Sequence, residues 1–281
     1  MRFCYQLATP DIPISPSVTA WQGNLEEGIS ALCRIGYDGV EFMTVDPDAL
    51  DWNRVKRLTE ENLPVSLVCT GEVFGSLGLS FADPREEIRG EAIQRVCRII
   101  DFASFLGADI NIGRVRGCYR ENIPKEQTEE WAISAFRQIS DYAAPKNVRV
   151  ALESVTAMQT NFINTVGEAA LMVDRTDREN FRLMMDIFHL NIEEKDLLET
   201  IRTYSPYNVY VHLADNNRRY PGNCRLDFEG IISAFSNCGY DGTFCTEILQ
   251  IPDQETAAGK SYAHLEPIFQ KVYGRIGGRN R

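Results

Sequence analysis

Short apolar runs alternate with longer stretches in which apolar residues recur every third or fourth position, from one end of the chain to the other. Eight short runs read as strands: 3–8 (FCYQLA), 38–43 (DGVEFM), 65–71 (VSLVCTG), 108–113 (ADINIG), 148–154 (VRVALES), 181–188 (FRLMMDIF), 209–215 (VYVHLAD) and 241–248 (DGTFCTEI). Most are continuously apolar, the pattern of strands covered on both faces in a parallel sheet. The gaps carry helical spacing at 24–35, 51–62, 83–106, 125–144, 164–174, 193–203, 227–238 and 254–274. In the first of these Leu25, Ile29, Leu32 and Cys33 share one face, and Pro64 follows the second. The third is expected to begin with Asp83 as its cap and Pro84 in the first helical position. The tetrapeptide GYDG occurs at 36–39 and 239–242. Each copy closes a helix and opens a strand, because glycine is favoured just beyond a helix end.

Eight β–α units are spread evenly over the 281 residues with no compositional break. That predicts one α/β domain over 1–281, a (β/α)8 TIM barrel. A doubly wound open sheet is the rival, and the lack of GxGxxG after the first strand disfavours it. Composition agrees with a folded chain: 44% hydrophobic and 25% charged residues exclude disorder as the default. Forty acidic against 29 basic residues leave a net charge of −11, which argues against a nucleic-acid partner. No apolar stretch is long enough to span a membrane. The start, MRFCYQLATPDIPISP, does not read as a secretory signal. The eight cysteines form no CxxC pair, and Cys4, Cys69, Cys97 and Cys245 lie in apolar runs. They read as buried thiols of a cytoplasmic protein. The terminal GRIGGRNR reads as a flexible end.

In such a barrel the site is built at the C-terminal ends of the strands. The fifth strand closes with Glu153, the sixth with Asp186 and then His189, the seventh with His212 and Asp215, and the eighth with Glu247. One acid at a strand end is usually a cap or a salt-bridge partner, and a lone histidine in VHL is usually a satisfied core residue. Four such groups on consecutive apolar strands are costly unless paired or bound to metal. Glu153, Asp186, His212 and Glu247 offer three carboxylates and one imidazole. That set suits Mn2+ first, with Mg2+, Co2+ and Zn2+ as alternatives.

Two longer motifs carry a family resemblance: DIFHLNIEE at 186–194, and HLADNNRRYPG at 212–222 followed by Asp227 and Phe228. With Thr246–Glu247 they make the chain resemble, over essentially its whole length, the sugar isomerase/epimerase group of xylose-isomerase-like barrels, particularly the ketose 3-epimerases. The resemblance implies metal binding by Glu153, Asp186, His212 and Glu247, with Glu153 and Glu247 also serving as the acid/base pair. It implies that His189 and Arg218 hold substrate oxygens, and it suggests a homodimer or homotetramer. One departure concerns the substrate. Where those enzymes read E-P-L-N-R-x-E, this chain has ESVTAMQ at 153–159, so that Gln159 replaces a second glutamate. Gln159 can still bond a hydroxyl, without charge.

The expected reaction is metal-dependent isomerisation or epimerisation of a keto sugar or sugar phosphate, by proton removal beside the carbonyl to an enediolate. Return of the proton to the opposite face gives the epimer; return to the neighbouring carbon gives the isomer. A lyase or dehydratase acting on a related keto sugar or keto-inositol is the alternative, since it shares the first half-reaction. The apurinic endonuclease branch needs more histidines than the three present. Arg114, Arg116 and Arg120 after the fourth strand, with Arg218, Arg219 and Arg225 after the seventh, suggest a basic rim for an anionic substrate, Arg114 and Arg116 being its best carriers. Ordinary ion pairing is the plainer reading of that cluster. Glu72 could pair with these arginines or touch substrate, Trp21 is expected to form an apolar wall for the sugar, and His264 to pack or face solvent.

Overall fold

The computed structural model describes residues 1–274, so the terminal segment after Gly274 lies outside the described residues. Eight strands, β1 (Arg2–Ala8), β2 (Gly39–Met43), β3 (Val65–Cys69), β4 (Asp109–Ile112), β5 (Val150–Glu153), β6 (Phe181–Asp186), β7 (Asn208–Leu213) and β8 (Thr243–Thr246), pair in parallel in chain order. β8 closes back onto β1, with Cys245 beside Cys4. The helices are α1 (Leu25–Ile35), α2 (Trp52–Glu61), α3 (Gly71–Leu77), α4 (Glu86–Leu106), α5 (Lys125–Ala143), α6 (Val166–Thr176), α7 (Ile187–Glu193), α8 (Leu197–Tyr204), α9 (Phe228–Asn237) and α10 (Gln254–Tyr273).

Strand side chains alternate between two apolar environments, which is why the sequence shows unbroken hydrophobic runs. One set, including Phe3, Tyr5, Phe42, Val211 and Phe244, packs under the helices. The other, Cys4, Leu67, Cys69, Ala151, Met184, Tyr210 and Cys245, forms a separate small cluster inside the barrel. Two residues further along the same inward rows stand Gln6, Glu153, Asp186, His212 and Glu247. The inward face therefore changes from apolar to ionisable within one step of the pleat, and this step locates the site.

Local chemistry sets the element ends. Asn24, Asp51, Asp227 and Asp253 accept backbone N–H bonds at the starts of α1, α2, α9 and α10. Thr165 and Glu168 form a capping box on α6. Gly36 closes α1 with a φ of 119°. The 83–106 expectation is corrected: α4 begins at Glu86 with Arg85 at its cap. Asp83 is held instead in a turn, where it accepts from the Arg85 amide and from the side chains of Arg85 and Arg120. Two short helices, α3 and α7, follow β3 and β6 at once where the strands were expected to run on, and the 193–203 helix becomes α8. Asp186 drives the second change by accepting the Phe188 N–H and capping α7. Of the cysteines, all free, only Cys4, Cys69 and Cys245 are buried; Cys224 and Cys238 are exposed.

At Gly39 a Cβ would lie 2.6 Å from the Pro64 carbonyl and 3.1 Å from Cys4 Sγ. Gly39→Ala is therefore expected to lower unfolding stability by about 1–3 kcal/mol, read from urea denaturation.

Candidate active site

Ligand-type atoms of Glu153, Asp186, His212 and Glu247 all lie within 4.8 Å of one another. Register brings two of them together directly, because Asp186 on β6 is the neighbour of His212 on β7. Arg218, on the loop after β7, reaches in between: Nη1 is 2.6 Å from Asp186 Oδ2 and Nη2 is 2.5 Å from Glu247 Oε2. Its backbone adopts a φ of 59°, and its guanidinium lies over the Phe188 ring. Asp215 holds that loop by accepting the amides of Asn216, Gly222 and Cys224. Glu247 also accepts from the Thr19 hydroxyl at 2.9 Å, and Glu153 from the Asn111 amide at 3.4 Å.

Burial and neighbouring charge pull these groups apart electrostatically. For Glu153, burial outweighs the nearby His212 and raises its pKa above the usual carboxylate range. For Glu247, burial is overridden by Arg218 and His212, which hold it well below that range. Burial also disfavours the His212 imidazolium, but Glu41 and Glu247 prevail and raise its pKa. His189 is the opposite case: burial pushes it down to about 4, so that it is neutral at pH 7. Its Nδ1 accepts the Thr156 N–H at 3.4 Å, which leaves Nε2–H as the free donor.

The residues present fit a divalent cation. Among the described residues His212 Nδ1, which is buried, finds no hydrogen-bond partner, although it lies 2.8 Å from Glu247 Oε2 and 3.4 Å from Glu153 Oε1. An imidazole nitrogen of that kind among three carboxylates is a donor set for a metal of intermediate hardness. A second group, Glu41, His212 and Cys245, is equally compact. Burial there keeps the Cys245 thiol protonated, which disfavours it as a ligand.

A cavity of about 290 Å3 opens over these groups. Glu153, Glu247, His189 and Arg218 line it with Gln159, Arg114 and Glu72. Val18, Met43, Val155, Met158, Phe188 and Leu249 supply its apolar wall. Two expectations are corrected. Arg116 does not reach the cavity: fully buried, it donates to the carbonyls of Phe162, Gly113 and Ile163 at 2.9, 2.7 and 2.9 Å. Burial lowers its pKa to about 10. Trp21 does not line the cavity either. Its backbone bridges to Leu7, and its indole packs against Gly28. The basic rim is dispersed: Arg114 bonds Glu72 at 3.1 Å, Arg120 pairs with Asp83, and Arg219 and Arg225 are exposed away from the cavity. His264 rests against the Phe228 ring.

Sequence reasoning missed Glu41, Gln6, Thr19 and Asn111. Glu41 is fully buried in β2 and lies 2.8 Å from His212 Nε2. The signal was a charged residue inside the apolar run GVEFM.

A family model described as "Xylose isomerase-like TIM barrel" matches residues 29–268. An L-ribulose 3-epimerase of Methylomonas sp. (strain DH-1) is 28% identical over 242 residues, 81% of each chain. A ketose 3-epimerase of Arthrobacter globiformis is 30% identical over 236 residues, 79% of this chain and 78% of that protein. The crystal structure of a D-allulose 3-epimerase from Methylomonas sp. with D-allulose matches with a TM-score of 0.81 at 22% identity, over 95% of this chain and 96% of that one. At that identity the structural likeness speaks for the fold.

Arg116→Met strands three buried carbonyls, and a loss of about 3 kcal/mol in denaturant unfolding is expected. A substrate contact would instead raise KM at unchanged stability. His189 gives a pH test. The unfolded imidazole takes up a proton near pH 6.5, whereas the folded one resists until about pH 4. Its contribution to stability is therefore complete above pH 6.5 and lost on acidification. His189→Asn is expected to flatten the fall in stability between these values in paired melts.

Proposed function

The chain belongs to the xylose isomerase-like TIM barrel family, and from that premise we propose that it epimerises a keto sugar, with Glu153 and Glu247 exchanging the proton on the carbon beside the carbonyl. One observation carries the reading: both carboxylates line one cavity and converge on a buried imidazole nitrogen that finds no hydrogen-bond partner among the described residues. The kinship with proteins named as 3-epimerases of ketoses supports it.

Glu153, Asp186, His212 and Glu247 are the residues that would hold a divalent cation, Mn2+ before Mg2+, Co2+ or Zn2+. Bound there, it supplies positive charge against the oxyanion that forms when a carbon acid loses its proton. The remaining work falls to side chains. Asn111 fixes Glu153, while Thr19 and Arg218 fix Glu247, so neither base has to reorganise when the proton moves. His189 presents an uncharged N–H donor to a substrate oxygen, and Arg218 a charged one. Removal by one glutamate and return by the other from the opposite side inverts the carbon.

Gln159 and the Glu72–Arg114 pair meet the sugar's other hydroxyls. Both arginines that line the cavity already have acidic partners, Glu72 for Arg114 and Asp186 with Glu247 for Arg218. The substrate that fits is an unphosphorylated keto sugar.

The test is a panel of ketoses and ketose phosphates incubated with the Mn2+-loaded enzyme in D2O, quenched with EDTA and read by proton NMR. Deuterium is expected at the inverted carbon of a free ketose. Glu153→Gln and Glu247→Gln are each expected to slow exchange at least about 100-fold with unchanged circular dichroism. Normal exchange in both variants rejects the acid/base assignment. Loss of water or of a fragment instead of an epimer turns the reading to a lyase, and turnover of phosphates alone rejects the free sugar.

A further inference from the structure

Glu41 is a fully buried acid to which the chemistry above gives no part. It projects from β2 into the barrel, in register with Gln6 on β1. An enclosed carboxylate is costly to keep unless its lone pairs are used. Both oxygens are used: Oε2 lies 2.8 Å from His212 Nε2, and Oε1 accepts from Gln6 Nε2 at 2.7 Å.

The arrangement has a direction. An ionised carboxylate only accepts, so the proton between Glu41 and the ring belongs to His212 Nε2. When the ring gives up its second proton to a bound cation, the lone pair falls on Nδ1, the atom that points among Glu153, Asp186 and Glu247 at 3.4, 3.8 and 2.8 Å. Were the proton on Nδ1, an N–H would occupy the place of a ligand. Gln6 holds Glu41 in turn. Its side-chain carbonyl lies 3.1 Å from the Thr19 hydroxyl, which stands 2.9 Å from Glu247 Oε1. The single Thr19 proton serves one of these two acceptors at a time, so the bonded chain behind the ring runs from Gln6 through Glu41 to His212.

We propose that Glu41 is a positioning residue of the metal centre: through the Nε2–H bond it fixes the tautomer and ring orientation that make His212 Nδ1 a ligand atom, with Gln6 holding Glu41 in place. This rests on the reading that Glu153, Asp186, His212 and Glu247 hold a divalent cation. Partners of this kind orient metal-binding histidines, and their removal typically weakens metal affinity about 10–100-fold.

Two measurements test it. Long-range proton–nitrogen NMR of 15N-histidine-labelled wild-type protein loaded with Mg2+ needs no variant. The His212 ring is expected to carry its proton on Nε2, and a proton on Nδ1 overturns the proposal. Calorimetric titration with Mn2+ is the second. Glu41→Leu is expected to bind about 10–100-fold more weakly than wild type with the circular dichroism of the wild type. Glu41→Gln, whose carbonyl can still accept the Nε2 proton, is expected between the two. Variant affinities within twofold of wild type overturn the positioning role alone. Wild-type protein that binds neither cation overturns this proposal and the metal reading together.

Discussion

Three carboxylates meet one imidazole at the mouth of the barrel, within 4.8 Å of each other and largely out of solvent. Like charges at that separation repel by roughly 3 kcal/mol or more per pair at an effective dielectric constant near 20. Packing alone would not gather them. The fold answers the cost with Arg218, bonded to two of the acids, with the imidazole of His212, and with a donor set that a dication and Arg218 together would bring to neutrality. Arg218 contributes one positive charge and a divalent ion two, which matches three carboxylates beside a neutral ring. The chemistry proposed for the site is a consequence of the same balance, because charge that stabilises three carboxylates also stabilises an oxyanion formed beside them.

The loops around the mouth are held by acids of a different kind. Asp215 uses its oxygens on backbone amides and thereby shapes the loop that delivers Arg218. Asp11 accepts the amides of Val45 and Asp46 and the Thr44 hydroxyl. Glu193 accepts the Thr156 hydroxyl and the Ala157 amide on the loop that carries Gln159. These carboxylates are turned to backbone amides and hydroxyls of the loops, whereas those of Glu153 and Glu247 remain open to the cavity. Arginines divide in the same way. Arg116 spends its guanidinium on three carbonyls inside the wall, and Arg114 shows part of its own to the cavity beside Glu72.

Much of this was legible in the chain. Eight apolar runs separated by helical spacing gave the barrel, and ionisable residues at the ends of the last four runs marked the mouth of the site. The family motifs around Asp186 and His212 pointed to the same four side chains. Glu41 escaped because a strand covered on both faces shows no alternation, so nothing in GVEFM says that the glutamate faces inward. The helices α3 and α7 escaped because Thr70–Gly71 and Ile187–Phe188 extend apolar runs whose endings are decided by local bonds, such as the Asp186 cap.

The sequence alone therefore determined the periodicity, the count of β–α units and the residue types available at each strand end, since these depend on the burial of neighbours along the chain. Tertiary structure decided which of them meet. A carboxylate at a strand end becomes a site residue or a loop brace according to whether amides or an imidazole lie across from it. A basic side chain becomes a wall prop or a cavity donor according to which carbonyls or acids its reach encounters. The contacts that assemble the site itself join residues far apart in the chain, such as Thr19 with Glu247 and Asp186 with Arg218. Those separations are fixed only once the sheet has closed and its register is set.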